Sequence, residues 1–222
     1  MMSSLTTAPI APLLDRLFAE AEASFAAIPP AFASMTEEER TRLLTSRTGY
    51  RDVYMGMKDA ALAVSRETGT LLYMLARSIA ARSIVEFGTS FGLSTLHLAA
   101  ALRDNGGGRL ITSEFEPSKV TRARANLVAG GVSDLVEIRE GDALETLGRD
   151  LPETIDLLLL DGAKALYPDI LDRVESRLRP GALIVADNAD WSQDYLARVR
   201  SAERAYVSVP FAADVELSMR MG

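Results

Sequence analysis

From residue 83 onward, short runs of β-branched residues and leucine alternate with stretches of helical periodicity, and this alternation constrains the fold more than any other feature. The runs at Ser83–Phe87, Arg109–Glu114, 136–139, Ile155–Leu160 and 182–186 read as strands, with a helix between each pair. Strands joined by helices run parallel, and a run such as Ile155-Asp156-Leu157-Leu158-Leu159-Leu160 is apolar enough to be buried on both faces. Two last runs, 205–209 and 215–221, lie too close together for a helical crossover and pair as an antiparallel hairpin at the sheet edge. The expectation is an α/β fold: a mostly parallel seven-stranded sheet, helices on both faces and a C-terminal antiparallel hairpin.

Ahead of the sheet the chain reads as helical. Leu13, Leu14, Leu17, Phe18 and Ala21 recur at helical spacing until Pro29-Pro30 stops the pattern. Thr36 followed by Glu37, Glu38 and Glu39 reads as an N-cap with first-turn acids, opening a second helix through about Ser46. A polar segment with Tyr50, Tyr54, Met55 and Met57 follows, and residues 67–80 carry Leu71, Leu72, Leu75 and Ile79 on one helix face. The 222 residues suit one domain, 1–222, with 1–60 as a helical cover and 61–222 as the core.

Charge and composition narrow the partners. The formal net charge of -7 opposes attraction to nucleic acid or anionic lipid, and no apolar stretch is long enough to cross a bilayer. No nucleic-acid or membrane partner is expected. With no cysteine there is no disulfide, thiolate metal site or cysteine nucleophile, and the N-terminus lacks the pattern of a secretion signal, so the cytoplasm is the expected compartment.

In open α/β sheets ligands lie beyond the carboxyl ends of the strands. The first strand ends in Glu86-Phe87-Gly88 and turns through Thr89-Ser90-Phe91-Gly92 into a helix with Ser94 in its first turn. This Gly-x-x-x-Gly spacing differs from the Gly-x-Gly-x-x-Gly of a dinucleotide site, which disfavours NAD, and the acid at 86 suits a cationic amino-acid-bearing ligand better than a phosphate. Glu114, at the end of the second strand, can accept hydrogen bonds from both hydroxyls of a ribose; the bland alternative is a solvated acid. Asp142, after the third strand, can either receive an adenine amino group or cap the next helix. The fourth strand delivers Asp161, followed by Lys164 and Tyr167, and the fifth delivers Asp187-Asn188. Two carboxylates and an amide oxygen are hard ligands suited to Mg²⁺ and unsuited to zinc.

Five stretches, in order, resemble the metal-dependent catechol and caffeoyl-CoA type O-methyltransferases that use S-adenosylmethionine: 64–69, 85–94, 114–117, 161–164 with Tyr167, and 186–188. The resemblance covers roughly residues 50–222 and implies a Rossmann-like class I methyltransferase fold. It implies that the Val64 backbone, Glu86, Gly88 and Ser94 hold the methionine part of the cofactor, with Glu114 on the ribose, Asp142 and Ala143 beside the adenine, and Asp161 shared between cofactor and metal. Asp161, Asp187 and Asn188 would bind Mg²⁺ or another divalent cation, and Lys164 would be the general base for methylation of a small catechol-like or phenolic acceptor. A homodimer built on the N-terminal helices is also implied. The alternatives are a metal-independent methyltransferase acting on another small molecule, a dehydrogenase and a non-catalytic module.

Several positions admit two readings. Glu216 falls where catechol-type members place a carboxylate on the second acceptor hydroxyl, although a strand-end Glu is commonly just solvated. Trp191 either lines the acceptor site or packs. His97 reads as structural, and Tyr50, Tyr54, Met55 and Met57 as either a lid or a packing cluster. The segment after Asn188 lacks the glycine-bearing insertion seen in many relatives, and Gly162-Ala163 stands where a second acid could follow Asp161.

Overall fold

The computed structural model describes residues 3–222 apart from 25, 27, 29–31, 33, 202, 204 and 213. Its strands are β1 (Ser83–Phe87), β2 (Arg109–Glu114), β3 (Val136–Glu140), β4 (Ile155–Leu160), β5 (Leu178–Ala186), β6 (Tyr206–Phe211) and β7 (Val215–Arg220). They form one sheet in the order β3-β2-β1-β4-β5-β7-β6, parallel through β5 and antiparallel in the last two pairings. This is the expected sheet with its hairpin at the edge. The strand order reverses between β1 and β4, and such a switch point opens a crevice at the carboxyl ends.

Two-residue periodicity sorts the side chains to the two faces. Val85, Leu158, Leu160 and Ile184 pack with α7 (Ala143–Thr146), α8 (Tyr167–Val174) and α9 (Gln193–Arg200). Ile84, Leu157, Leu159 and Leu183 pack on the other face with α4 (Arg66–Ser78) and α5 (Leu93–Asp104). Helix α5 is buried all round from Leu93 to Leu102, because α1 (Ile10–Ser24) and α6 (Pro117–Ala129) close over its outer side through Leu13, Leu17, Leu96 and Leu127. His97 lies in that packing: its Nδ1 is 2.8 Å from the Leu93 carbonyl, its ring is edge-on to Phe18 at 6.0 Å, and burial holds its pKa below the usual range. It is structural, as read.

The helical cover departs from the sequence reading in one place. Helix α2 (Glu37–Leu44) opens with the expected Thr36 cap, completed by the Glu39 side chain accepting from the Thr36 amide at 2.9 Å. The following segment, read only as polar, forms α3 (Tyr50–Gly56). Its seven residues are too few to show a period, and its N-cap Gly49 offers no side-chain signal. Pro29 and Pro30 lie outside the described residues. Strand β5 starts at Leu178 rather than 182, with a register shift between Ile155 and Leu157 that accommodates Pro180 and Gly181. Among the described residues no helix is long and apolar enough to cross a membrane.

Candidate functional site

The loop after β1 is held from both sides. Gly88 and Thr89 donate their amides to the Ser113 carbonyl on β2, Gly92 donates to Thr89, and Asn126 Nδ2 on α6 donates to the Phe91 carbonyl at 2.9 Å. Gly88 has φ +102°, and a Cβ there would sit 2.6 Å from the Asp161 carbonyl oxygen, so only glycine lets the loop meet the end of β4 this closely. Beneath it Glu86 is fully buried, accepting from Ser94 Oγ and Thr95 Oγ1 at 2.6 Å each. These two candidate residues satisfy each other and do not line the cavity above them.

Burial pushes the Glu86 carboxyl up to about 7 against the pull of the hydroxyl donors. The folded protein therefore keeps this proton up to about pH 7, whereas the unfolded chain releases it near its ordinary value. The associated stability is complete at low pH and is lost as pH rises between those two values. The shift corresponds to about 3 kcal/mol. Urea unfolding at pH 5 and pH 8 is expected to show the wild type losing most of that amount relative to Glu86→Gln; a difference between the two proteins independent of pH would remove this reading.

The crevice at the switch point holds a cavity lined by Gly88, Ser90, Glu114, Lys119, Asp142, Ala143 and Asp161, with Tyr50 and Arg51 of α3 above. Five of the sequence-chosen cofactor residues, Gly88, Glu114, Asp142, Ala143 and Asp161, thus come together. Val64 is buried outside the lining, while Leu62 reaches it. Glu114 Oε2 accepts from the Ser90 amide at 2.8 Å and Oε1 from Phe115 and Glu116 at 3.0 and 3.1 Å. Burial raises its pKa against those amides and Lys119. Asp142 caps α7 as one reading expected, Oδ1 accepting from the Leu144 amide at 2.9 Å, while Oδ2 pairs with Arg51 and the residue lines the cavity. Arg51 and Lys119 were missed by the sequence reading, because only the fold brings α3 and the first turn of α6 to this wall.

A second cavity adjoins the first and shares Asp161 and Leu62 with it. Lys164, Asp187 and Asn188 form its polar end, and Phe32, Leu44, Tyr54, Met57 and Trp191 are among its apolar walls. Trp191 lines this cavity and also packs against the cluster of Leu44, Met57 and Ala60. Tyr54 and Met57 line this cavity, whereas Met55 is exposed.

The two buried acids meet here. Burial, reinforced by the facing Asp161 carboxylate, pushes Asp187 up to about 8, and burial also raises Asp161 although Lys164 Nζ lies 3.0 Å from its Oδ1. Burial alone would lower Lys164, but Tyr167, Asp161, Tyr54 and Asp187 outweigh it and hold the ammonium well above its ordinary value. The Tyr167 hydroxyl donates to the Asp187 carbonyl at 2.7 Å and fixes the end of β5. Asn188, at φ +47°, donates from Nδ2 to Asp214 at 3.0 Å, which leaves its side-chain amide oxygen as the atom able to ligate a cation.

Among the described residues no group of three or more His, Cys, Asp or Glu side chains gathers as a metal cluster. The donors on this wall are instead two carboxylates and one amide oxygen. They are hard ligands whose mutual repulsion a divalent cation relieves, so their chemistry fits such an ion with coordination positions left open.

Glu216 is not on either wall. It is 1% exposed, accepts from Arg200 Nε and Nη2 at 2.8 and 2.6 Å and from Ser208 Oγ at 2.6 Å, and these donors outweigh burial and hold its pKa low. It is neither a solvated strand-end acid nor part of the cavities. Arg200 could not be matched to it from sequence, since α9 meets β7 only in the folded sheet.

The profile of the O-methyltransferase family matches residues 43–221. The catechol O-methyltransferase of Niastella koreensis is 37% identical over 131 residues, 58% of each chain. Catechol O-methyltransferase B of Danio rerio is 32% identical over 173 residues, 74% of this chain and 64% of that one. The chain thus spans less than two thirds of the length of these relatives. An O-methyltransferase from Bacillus cereus solved with SAH superposes with a TM-score of 0.71 at 21% identity, over 98% of this chain and 95% of that one. TomG of Streptomyces achromogenes, an O-methyltransferase involved in tomaymycin synthesis and solved with SAM, gives 0.64 at 26% identity over 92% and 96%.

Proposed function

Because this chain belongs to the O-methyltransferase family, we propose that it moves a methyl group from S-adenosylmethionine to a hydroxyl of a small catechol-like or phenolic acceptor, with Mg²⁺ or another divalent cation. The observation that carries the reading is the shared wall: Asp161 closes the cavity containing Gly88, Glu114, Asp142 and Ala143, and it opens the one containing Lys164, Asp187 and Asn188. A donor in the first and an acceptor in the second would meet across one side chain. The names of the relatives and the SAM and SAH of the structural neighbours support the same assignment.

In this reading Glu114 holds the ribose, Asp142 and Ala143 flank the adenine, and Gly88 borders the methionine end. Glu86 and Ser94, bonded to each other at 2.6 Å, fix the shape of that end from below. The apolar walls with Trp191 and Tyr54 orient an aromatic acceptor and exclude water. Lys164 takes the acceptor's proton. A free phenol is ionised in only about one molecule in a thousand at neutral pH. When bound to Asp161, Asp187 and Asn188, the divalent cation would favour the acceptor's anion and take up the carboxylate charge that keeps Lys164 protonated. The rest of the rate comes from holding sulfonium and oxygen in line. A second copy contacting the N-terminal helices and a cytoplasmic setting belong to the same proposal.

Titration calorimetry with S-adenosylhomocysteine and with NAD, followed by methyl transfer to catechol with Mg²⁺ and with excess chelator, tests it. Binding of S-adenosylhomocysteine alone, and transfer that stops with chelator, is the expected result. Unchanged turnover in chelator would move the assignment to a metal-independent methyltransferase, and binding of NAD in place of the homocysteine compound would remove it.

A further inference from the structure

Tyr54 brings to the second cavity a hydroxyl that the described residues do not use. The residue stands on α3, and its ring packs against both the cluster that contains Phe87, Leu166 and Tyr167 and the one that contains Leu44, Met57 and Ala60. Its hydroxyl forms no hydrogen bond among the described residues. The charged groups that act on it are Lys164 and Asp161, so it faces the polar end of the cavity. Burial holds the phenol above its usual range and keeps it neutral, a group that can accept a hydrogen bond as well as donate one.

A vicinal diol makes two demands on this cavity. The hydroxyl to be methylated gives its proton to Lys164. The other keeps its proton and needs an oxygen to receive it, since a buried donor left unpaired is costly. Among the described residues, the side-chain oxygens lining the cavity belong to Tyr54, Asp161, Asp187 and Asn188. The last three ligate the divalent cation in the reading above, and Asp161 Oδ1 also lies 3.0 Å from Lys164 Nζ. Trp191, on the same wall, offers only an N–H. Glu216, the acid expected from sequence to meet the second hydroxyl, is held by Arg200 and Ser208 and lines neither cavity. The Tyr54 oxygen is the neutral one left.

Resting on the substrate assignment made above, we propose that Tyr54 is a substrate-binding residue whose hydroxyl oxygen accepts a hydrogen bond from the hydroxyl that is not methylated. It thereby favours a vicinal diol over a lone phenol and takes the place that Glu216 does not fill.

The test is titration calorimetry of catechol and of phenol into the wild type and Tyr54→Phe, each saturated with S-adenosylhomocysteine and Mg²⁺. The substitution removes an oxygen that bonds to no described residue, so the melting temperature is expected to stay within about 2 °C and the affinity for S-adenosylhomocysteine within about twofold. Catechol is expected to bind Tyr54→Phe about fivefold more weakly, the loss of one neutral hydrogen bond, while phenol binds the two proteins alike. In steady-state transfer to catechol the loss should fall on KM, with kcat within about twofold. Equal binding of catechol, an equal penalty with phenol, or a loss confined to kcat overturns the inference. So does a lowered melting temperature with a matching loss of S-adenosylhomocysteine affinity, which would make Tyr54 a structural residue. Failure of the wild type to bind catechol while it binds S-adenosylhomocysteine would instead overturn the substrate assignment, and this inference with it.

Discussion

Replacement of Asp187 by alanine is expected to lower turnover of a catechol roughly a thousandfold while leaving the affinity for S-adenosylhomocysteine within about twofold, since the missing ionisation of a phenol at neutral pH is about three pKa units. The two effects separate because Asp187 lines only the second cavity. Stability should not fall with activity. Asp187 is pushed up to about 8 by burial and by the facing Asp161, so the cation-free protein carries this carboxyl under pressure, and its removal relieves Asp161. Single-turnover rates, calorimetry and thermal unfolding on one preparation measure all three. Retained turnover would detach Asp187 from the chemistry, and a joint loss of cofactor affinity and melting temperature would make it a structural residue.

Gly88→Ala is expected to be the most damaging single methyl group on the site. The added Cβ would lie 2.6 Å from the Asp161 carbonyl oxygen and 2.7 Å from the Gly162 amide, both backbone atoms, at φ +102°. Left-handed strain of about 1–3 kcal/mol and overpacking of about 1–3 kcal/mol act together. The melting temperature is expected to drop by roughly 10 °C, and binding of S-adenosylhomocysteine to fall by more than tenfold, because relief requires β1 and β4 to part where the two cavities join. A variant melting within about 2 °C of the wild type with intact binding would show that this contact has room to yield.

The sheet was legible because each strand carried its own local signal, and the strand ends then placed Gly88, Glu114, Asp142 and Asp161 on one edge without further information. What the residues could not disclose was pairing across the chain. Arg51 meets Asp142 91 positions away, and Arg200 reaches Glu216 from a helix whose packing depends on the finished hairpin. Lys119 looks in sequence like any first-turn lysine, and only its burial beside Glu114 distinguishes it. Glu86 shows the opposite limit: its motif was recognised, but the motif did not reveal that its carboxyl is used up by Ser94 and Thr95. Helix α3 escaped notice although it brings Tyr50, Arg51 and Tyr54 to the cavities, because a seven-residue helix anchored by tertiary contacts carries almost no periodic signal.

Asp161 stands in the wall of both cavities, and that position has a thermodynamic consequence. Whatever occupies one side sets the charge and orientation of a group that the other occupant must meet. The two affinities are therefore linked, and the factor by which the first ligand alters the second is, by necessity, the factor by which the second alters the first. Order of addition can then emerge from a single side chain, without any movement of the domain.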